Sequence, residues 1–231
     1  MYNIFYKSLT KLDSVLLVYL DKDMGRNKIE LVSEDCLLWL IPTYQDSVLS
    51  SVKYYSFIIN NQFCVCDPNC YRIHVIDEMN FSYIEDLLTK RLNNVGVINS
   101  STGKDLENKT FEVVNKTEIF SNLDSAICYT ANLKNVTEDS TVIFQIINPK
   151  GELHFVDCEY LMRNKKNGER IYYAGLKITP KLLEGIWTFQ LIHQNKIIDA
   201  KAVLYKIYKI DYGKDKNSHF TKKSFNFNLE I

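Results

Sequence analysis

Neither sign of charge is in excess in this chain: 28 Lys and Arg face 28 Asp and Glu. Nucleic-acid binding draws on counterion release by surplus basic residues, so a balanced chain disfavours a general nucleic-acid partner. Long hydrophobic runs are also lacking. The longest are short stretches such as VLLVYL and CLLWLIP, well below the ~20 residues a membrane-spanning helix needs. The start, MYNIFYKSLTKLDSV, has no basic segment followed by an apolar stretch and a small-residue cleavage site. The expectations are no membrane partner, a cytoplasmic, reducing setting, and thiols that stay mostly reduced. Glycine and proline are few, 8 and 4, while Asn, Ile, Lys and Tyr are abundant, a skew that codon bias also produces. No G-x-S-x-G elbow, P-loop, H-E-x-x-H or G-x-G-x-x-G occurs. The chain is therefore expected to be neither an enzyme nor a cofactor protein.

What is present is core-forming material. Hydrophobic residues make up 46% of 231 residues, enough for one large or two small domains. SVLLVYL (14–20), KIELV (28–32), CLLWLI (36–41), VKYYSFII (52–59) and FCVC (63–66) read as strands separated by the turn segments DKDMGRN, PTYQDS, NNQ and DPN. FSYIEDLLTKRL (81–92) changes period. Ile84, Leu87, Leu88 and Leu92 have helical spacing, and Ser82 with Glu85 matches a capping box. This predicts one short connecting helix, and the polar segment 93–109 reads as a linker.

Strands resume at 111–115, 125–133, 141–147, 152–160, 172–178, 186–192 and 196–207, with NPKG (148–151) and HQN (193–195) as hairpin loops. Trp187, Phe189 and Leu191 alternate with Thr188 and Gln190, the pattern of a half-buried antiparallel strand. Seven strands in about 100 residues fit an immunoglobulin-like sandwich. The tail SFNFNLEI (224–231) alternates apolar residues and is expected to be a final strand, joined through a flexible DYGKDKNSH segment.

The stretch FCVCDPNCYRIH (63–74) holds three of the six cysteines. Cys64, Cys66, Cys70 and His74 raise a metal site, but two cysteines on one strand stand ~6–7 Å apart, awkward for two bonds of ~2.3 Å to one zinc ion. A disulfide along one strand is equally awkward. The reading adopted is that these thiols are small apolar fillers, with no metal. The histidines (His74, His154, His193, His219) are scattered and read as surface or hydrogen-bonded residues. Cys128, inside an alternating strand, reads as buried filler. Glu34/Asp35, Glu138/Asp139 and the cationic segment MRNKKNGER (162–170) read as solvated loops. Trp39 reads as core. In VKYYSFII, Tyr55, Phe57 and Ile59 share the more apolar face, which leaves Tyr54 on the exposed one.

VKYYSFIINNQFCVCDPNCYRI (52–73) resembles the late strands of the glycogen-binding domains of AMP-activated kinase β-subunits and of the N-terminal domains of glycogen branching enzymes and isoamylases. YSFIINNQF supplies the aromatic strand and hairpin, CDP (66–68) the Asp-Pro, and CLLWLIP (36–42) the preceding strand. The resemblance covers about residues 12–80 and implies an early-set immunoglobulin-like sandwich. Such domains stack sugar rings on two tryptophans beside a lysine and an asparagine. Met24, Phe63 and Ser56 stand where the tryptophans and the lysine would be, and Asn80 where the asparagine would be. EGIWTFQLIHQNKIIDAKAVL (184–204) resembles the end of bacterial immunoglobulin-like accessory domains, which act as spacers and docking modules.

The expectation is thus an all-β chain of two tandem immunoglobulin-like sandwiches with one short connecting helix. Its parts would be residues 1–92, a linker 93–109, residues 110–210 and a tail 211–231. The leading function is non-catalytic carbohydrate binding, of an α-glucan or another polysaccharide, through Tyr54, Phe63 and Asn80. The alternative is a structural or protein-docking chain with no sugar ligand.

Overall fold

The computed structural model describes residues 4–70, 72–88 and 94–208. The expected tail strand 224–231, the end of the expected helix (89–92), Tyr71 and His219 lie outside them. The fold is all-β. In the first half the strands are β1 (Phe5–Lys7), β2 (Val15–Asp21), β3 (Arg26–Glu30), β4 (Leu38–Leu40), β5 (Val52–Ile59), β6 (Phe63–Val65), β7 (His74–Ile76) and β8 (Met79–Tyr83). Short 3-10 segments occupy Thr43–Ser50 and Ile84–Leu88. One sheet runs β3-β2-β5-β8-β7, with β6 also paired to β5, and β1-β4 form a separate two-stranded ribbon.

Alternation along β5 decides which way this sheet faces. Tyr55, Phe57 and Ile59 are fully buried in a core that also holds Tyr6 from β1 and Trp39 from β4. Tyr6 and Phe57 have ring centroids 5.0 Å apart. The opposite face is partly covered too: Val18, Leu20 and Phe81 are buried there, with Tyr54, Ile58, Ile76 and Met79 packed around them.

The second half comprises β9 (Gly96–Leu106), β10 (Val113–Lys116), β11 (Ile119–Ser121), β12 (Ala126–Lys134), β13 (Ser140–Ile147), β14 (Leu153–Leu161), β15 (Arg170–Lys177), β16 (Gly185–His193) and β17 (Lys196–Lys206). One sheet is β10-β9-β12-β15 and the other β11-β17-β16-β13-β14. β12 lies beside β15 in one sheet while β13, β16 and β17 are adjacent in the other, which is the exchange of strands in an immunoglobulin-like sandwich. Trp187, Phe189 and Leu191 fill its centre with Tyr129, Phe144 and Tyr205. The β16–β17 turn is made by Gln194 and Asn195, both at positive φ, as a two-residue hairpin of right-handed twist demands.

Two expectations fail here. Over its described part, 81–88, the expected helix is a strand through Tyr83 followed by the 3-10 segment Ile84–Leu88. Tyr54 pairs with Tyr83 and Tyr55 with Ser82, and the Ser82 hydroxyl accepts the Asp67 backbone N–H at 2.8 Å instead of capping a helix. Open ladder positions on β5 outweigh the local helical pattern. The linker over 93–109 is largely β9, paired with β12 from Gly96 to Gly103. Its polar residues fall on both faces, Asn99 and Lys104 exposed and Thr102 buried with its hydroxyl donating to the Thr117 carbonyl, so the segment lacks the apolar signature of a strand while still filling the ladder.

The first half also differs from a free-standing sandwich. Its core cluster includes Ile143, Val156, Cys158 and Ile192 from the second half. These lie on the outer face of the β13–β14–β16 sheet, whose inner face carries Phe144, Ile146 and Phe189. β13 is consequently buried on both faces, from Ser140 to Ile146, and its sequence STVIFQII is apolar with little alternation.

Candidate functional site

The three residues expected to hold a sugar do not meet. Residues paired across antiparallel strands share a face. Phe63 pairs with Ile59, so it lies on the core face, half-buried, edge-on to Phe155 of β14 at 6.0 Å. Tyr54 is on the other face, ringed by His74 and Tyr83 at 5.2 Å each. The Lys53 ammonium sits 5.5 Å from its ring centroid. Asn80 is half-buried opposite Val75 in the β7–β8 hairpin; its carbonyl faces the Cys64 thiol at 3.9 Å, and its side chain hydrogen-bonds Cys158. Phe63 and Asn80 thus border the seam between the halves, and Tyr54 lies across the sheet from them.

The cysteines of 63–74 go to separate partners. Cys64 meets the Ser56 hydroxyl at 3.2 Å. Cys70 lies 3.5 Å from the Tyr55 hydroxyl. The Cys66 backbone N–H donates to Cys158 Sγ across the seam at 3.1 Å. The Cys66 thiol is hydrogen-bonded to Cys158 and buried, which drives it far up, while the same bond draws Cys158 down. All six cysteines are free. Among the described residues no three His, Cys, Asp or Glu side chains gather as metal ligands. None of the described helices is long and apolar enough to cross a membrane.

Asp67, in the Asp-Pro turn, is the hub of this region; the sequence marked it only as part of the Asp-Pro that carries the family resemblance. It is buried, and its carboxylate accepts the Tyr55 hydroxyl at 2.7 Å and both the backbone and side-chain N–H of Asn69 at 2.8 Å. Burial raises its pKa, and the bonds from Asn69 and Tyr55 work against that rise. The three donors match what a buried carboxylate requires, so the arrangement is a folding device.

The open surface lies elsewhere. On the ribbon, Tyr6 and Trp39 point inward as a pair; the flanking pairs Phe5–Leu40 and Lys7–Leu38 point outward. Val32 is bridged to Leu40. Val32, Leu38 and Leu40 are 53%, 40% and 46% exposed. They line two shallow hollows of about 440 and 780 Å³, bordered by Glu34, Asp35 and Lys7. The Asp35 carboxyl is held below its ordinary range by the backbone N–H groups of Leu38 and Leu37 and by the Ser33 hydroxyl. No spacing rule marked this patch, because β4 reads as an ordinary apolar strand.

The chain is thus an all-β protein with an immunoglobulin-type second half. No known protein family and no curated protein matches its sequence. Solved structures with a similar outline include an immunoglobulin-like protein from Pseudomonas aeruginosa (10% identity, TM-score 0.35, covering 49% of this chain and 97% of that one). Another is a glycosyl hydrolase family 2 member from Bacteroides cellulosilyticus (9%, 0.32), of which this chain matches 27% over 87% of its own length. The native form of E. coli alpha-2-macroglobulin (8%, 0.32) is matched over 10% of its length and 84% of this chain.

Proposed function

We propose that the chain is a non-catalytic docking protein whose ribbon face, Val32, Leu38 and Leu40 with Phe5, receives aliphatic side chains of another protein. The observation that carries this reading is the exposure of three neighbouring aliphatic residues on a face otherwise free to carry polar ones. The mixed charges at its rim, Lys7 against Glu34 and Asp35, favour a partner segment that is apolar in the middle and charged of both signs at its ends. Sugar binding through Tyr54, Phe63 and Asn80 is the weaker reading, because the sheet separates Tyr54 from the other two.

A photo-reactive side chain at position 40, compared with one at exposed Val75, tests the docking face in cells. Expected is one saturable adduct with one protein from position 40, abolished by Leu38→Asp. Scattered adducts that Leu38→Asp leaves unchanged would reject it. So would heat on titration with maltoheptaose that Tyr54→Ala and Phe63→Ala each remove.

A further inference from the structure

Sheet edges offer unpaired N–H and C=O groups, and proteins blunt them with charges, bulges or short strands. Most edges of the described residues are blunted in this way. β3 carries Arg26, Lys28 and Glu30, β7 is three residues long, β10 is four residues long and ends in Lys116, and β14 carries Asp157 and Glu159. β15 is different. It spans eight residues, and the six from Ile171 to Leu176 are uncharged and without proline. Its register with β12 is unbroken from Leu133–Arg170 to Ala126–Lys177, so no bulge interrupts it. No other described strand pairs with its far edge.

We propose that this edge is the contact between two copies of the chain, β15 pairing antiparallel with β15 of the second copy. A two-fold antiparallel pair must place one residue opposite itself, because the axis passes through a residue pair. With Tyr173 on the axis, Glu169 of each copy faces Lys177 of the other, so opposite charges meet at both ends. Ile171 then faces Gly175, large against small. Shifting the axis to Tyr172 sets Lys177 against Asn167, and shifting it to Ala174 sets Lys177 against Ile171, so neighbouring registers lose both ion pairs. Ile171, Tyr173, Gly175 and Lys177 are exposed on one face of the strand, and Glu169, the residue just before it, is exposed as well, its carboxylate accepting the Asn167 side-chain N–H at 3.0 Å. Tyr173 is held in place by Phe111, stacked on it at 4.4 Å and 4°. Arg170, on the opposite face, donates to the Met162 and Arg163 carbonyls at 2.7 and 3.0 Å, which leaves its charge settled within its own chain. The two four-stranded sheets become one continuous sheet of eight.

The full chain is tested by sedimentation velocity over a concentration series, with charge exchange as the specific probe. Expected is a monomer–dimer equilibrium that Glu169→Lys and Lys177→Glu each weaken by about tenfold or more, and that the double exchange restores. On the axis, backbones stand ~4.5–5.5 Å apart, within disulfide reach. Tyr173→Cys with oxidised glutathione is therefore expected to give a covalent dimer, which Ile171→Cys and the unsubstituted chain do not. A monomer at all concentrations overturns the proposal. So does a dimer indifferent to both charge reversals, or a Tyr173→Cys chain that stays uncrosslinked. None of these results depends on the ribbon face, so the two readings fail separately.

Discussion

The second half closes a core between two sheets of its own, whereas the first sets a single sheet against a two-stranded ribbon and the outer face of its neighbour. Trp187, Phe189 and Tyr129 find all their apolar partners within the second half. Tyr55 and Phe57 share a cluster with Val156, Cys158 and Ile192 of the second. Polar links cross the same seam: Thr10 Oγ1 donates to the Gly151 carbonyl at 3.1 Å, and Asn195 Nδ2 to Asn69 Oδ1 at 3.2 Å. Two halves of similar length and strand content thus differ in autonomy. Counting strands does not reveal which domain can stand alone; the number of sheet faces that need cover does.

The strongest way to break this comparison is to separate the halves. Residues 94–208 alone are expected to melt cooperatively by circular dichroism, and residues 1–93 alone to show no cooperative transition. A first half that melts cooperatively by itself would refute the shared core. The next test keeps the chain whole. Phe57→Ala and Phe189→Ala should each cost about 3–5 kcal/mol, as deletions of buried aromatic side chains do. Hydrogen exchange should separate them. Phe57→Ala should expose amides of the first half only, while Phe189→Ala should expose both, because the second half supplies part of the first half's core.

A smaller effect sharpens the role of the Asp-Pro turn. Asp67→Ala strands the Tyr55 hydroxyl and the Asn69 N–H, and should cost about 1–3 kcal/mol in chemical denaturation. Asp67→Asn keeps an acceptor for Asn69 and removes the burial penalty on the charge, so its cost should be clearly smaller. Equal losses would show that the negative charge itself is needed.

The smallest effect expected is a difference in acid response. Asp124 in the second half has its pKa lowered from 3.8: burial lifts it, but Lys104 at 2.8 Å and the Ser121 N–H and hydroxyl outweigh that. A carboxylate depressed on folding gives stability that is present above its unfolded value and is lost as pH falls through its folded one. Asp67 has the opposite sign. Its raised value is a penalty present at neutral pH and relieved as pH falls through the folded pKa. Asp124→Asn should therefore flatten the loss of stability below about pH 4, whereas Asp67→Asn should lower stability most at acid pH, relative to the parent chain, by removing that relief. Denaturation midpoints across pH 2 to 7, on the ordinary carboxylate scale, check both signs.

Much of this fold was legible in the residues themselves. The face of β5 that enters the core, the inward row Trp187, Phe189 and Leu191, and the turns at NNQ, NPKG and HQN all follow from local chemistry: side-chain alternation and residues that tolerate positive φ. Trp39 also lies in the core, as read. Other elements were decided by neighbours far along the chain. β8 is a strand because β5 offers it a ladder, and β9 is a strand because β12 does, whatever their own patterns suggest. β13 has two buried faces because the first half needs one of them.

The candidate sugar site turns on a single residue of loop length. A two-residue turn after Ile59 would have paired Phe63 with Ile58, on the face of Tyr54. The loop is three residues, Asn60 to Gln62, and Phe63 pairs with Ile59 on the opposite face. A one-residue change of register moves every side chain of a strand to the other side of its sheet. Composition and alternation fixed that Phe63 belongs to a strand beside Tyr54's and that NNQ is the turn before it; the register across that turn, and with it the side of the sheet Phe63 occupies, was set by the folded hairpin.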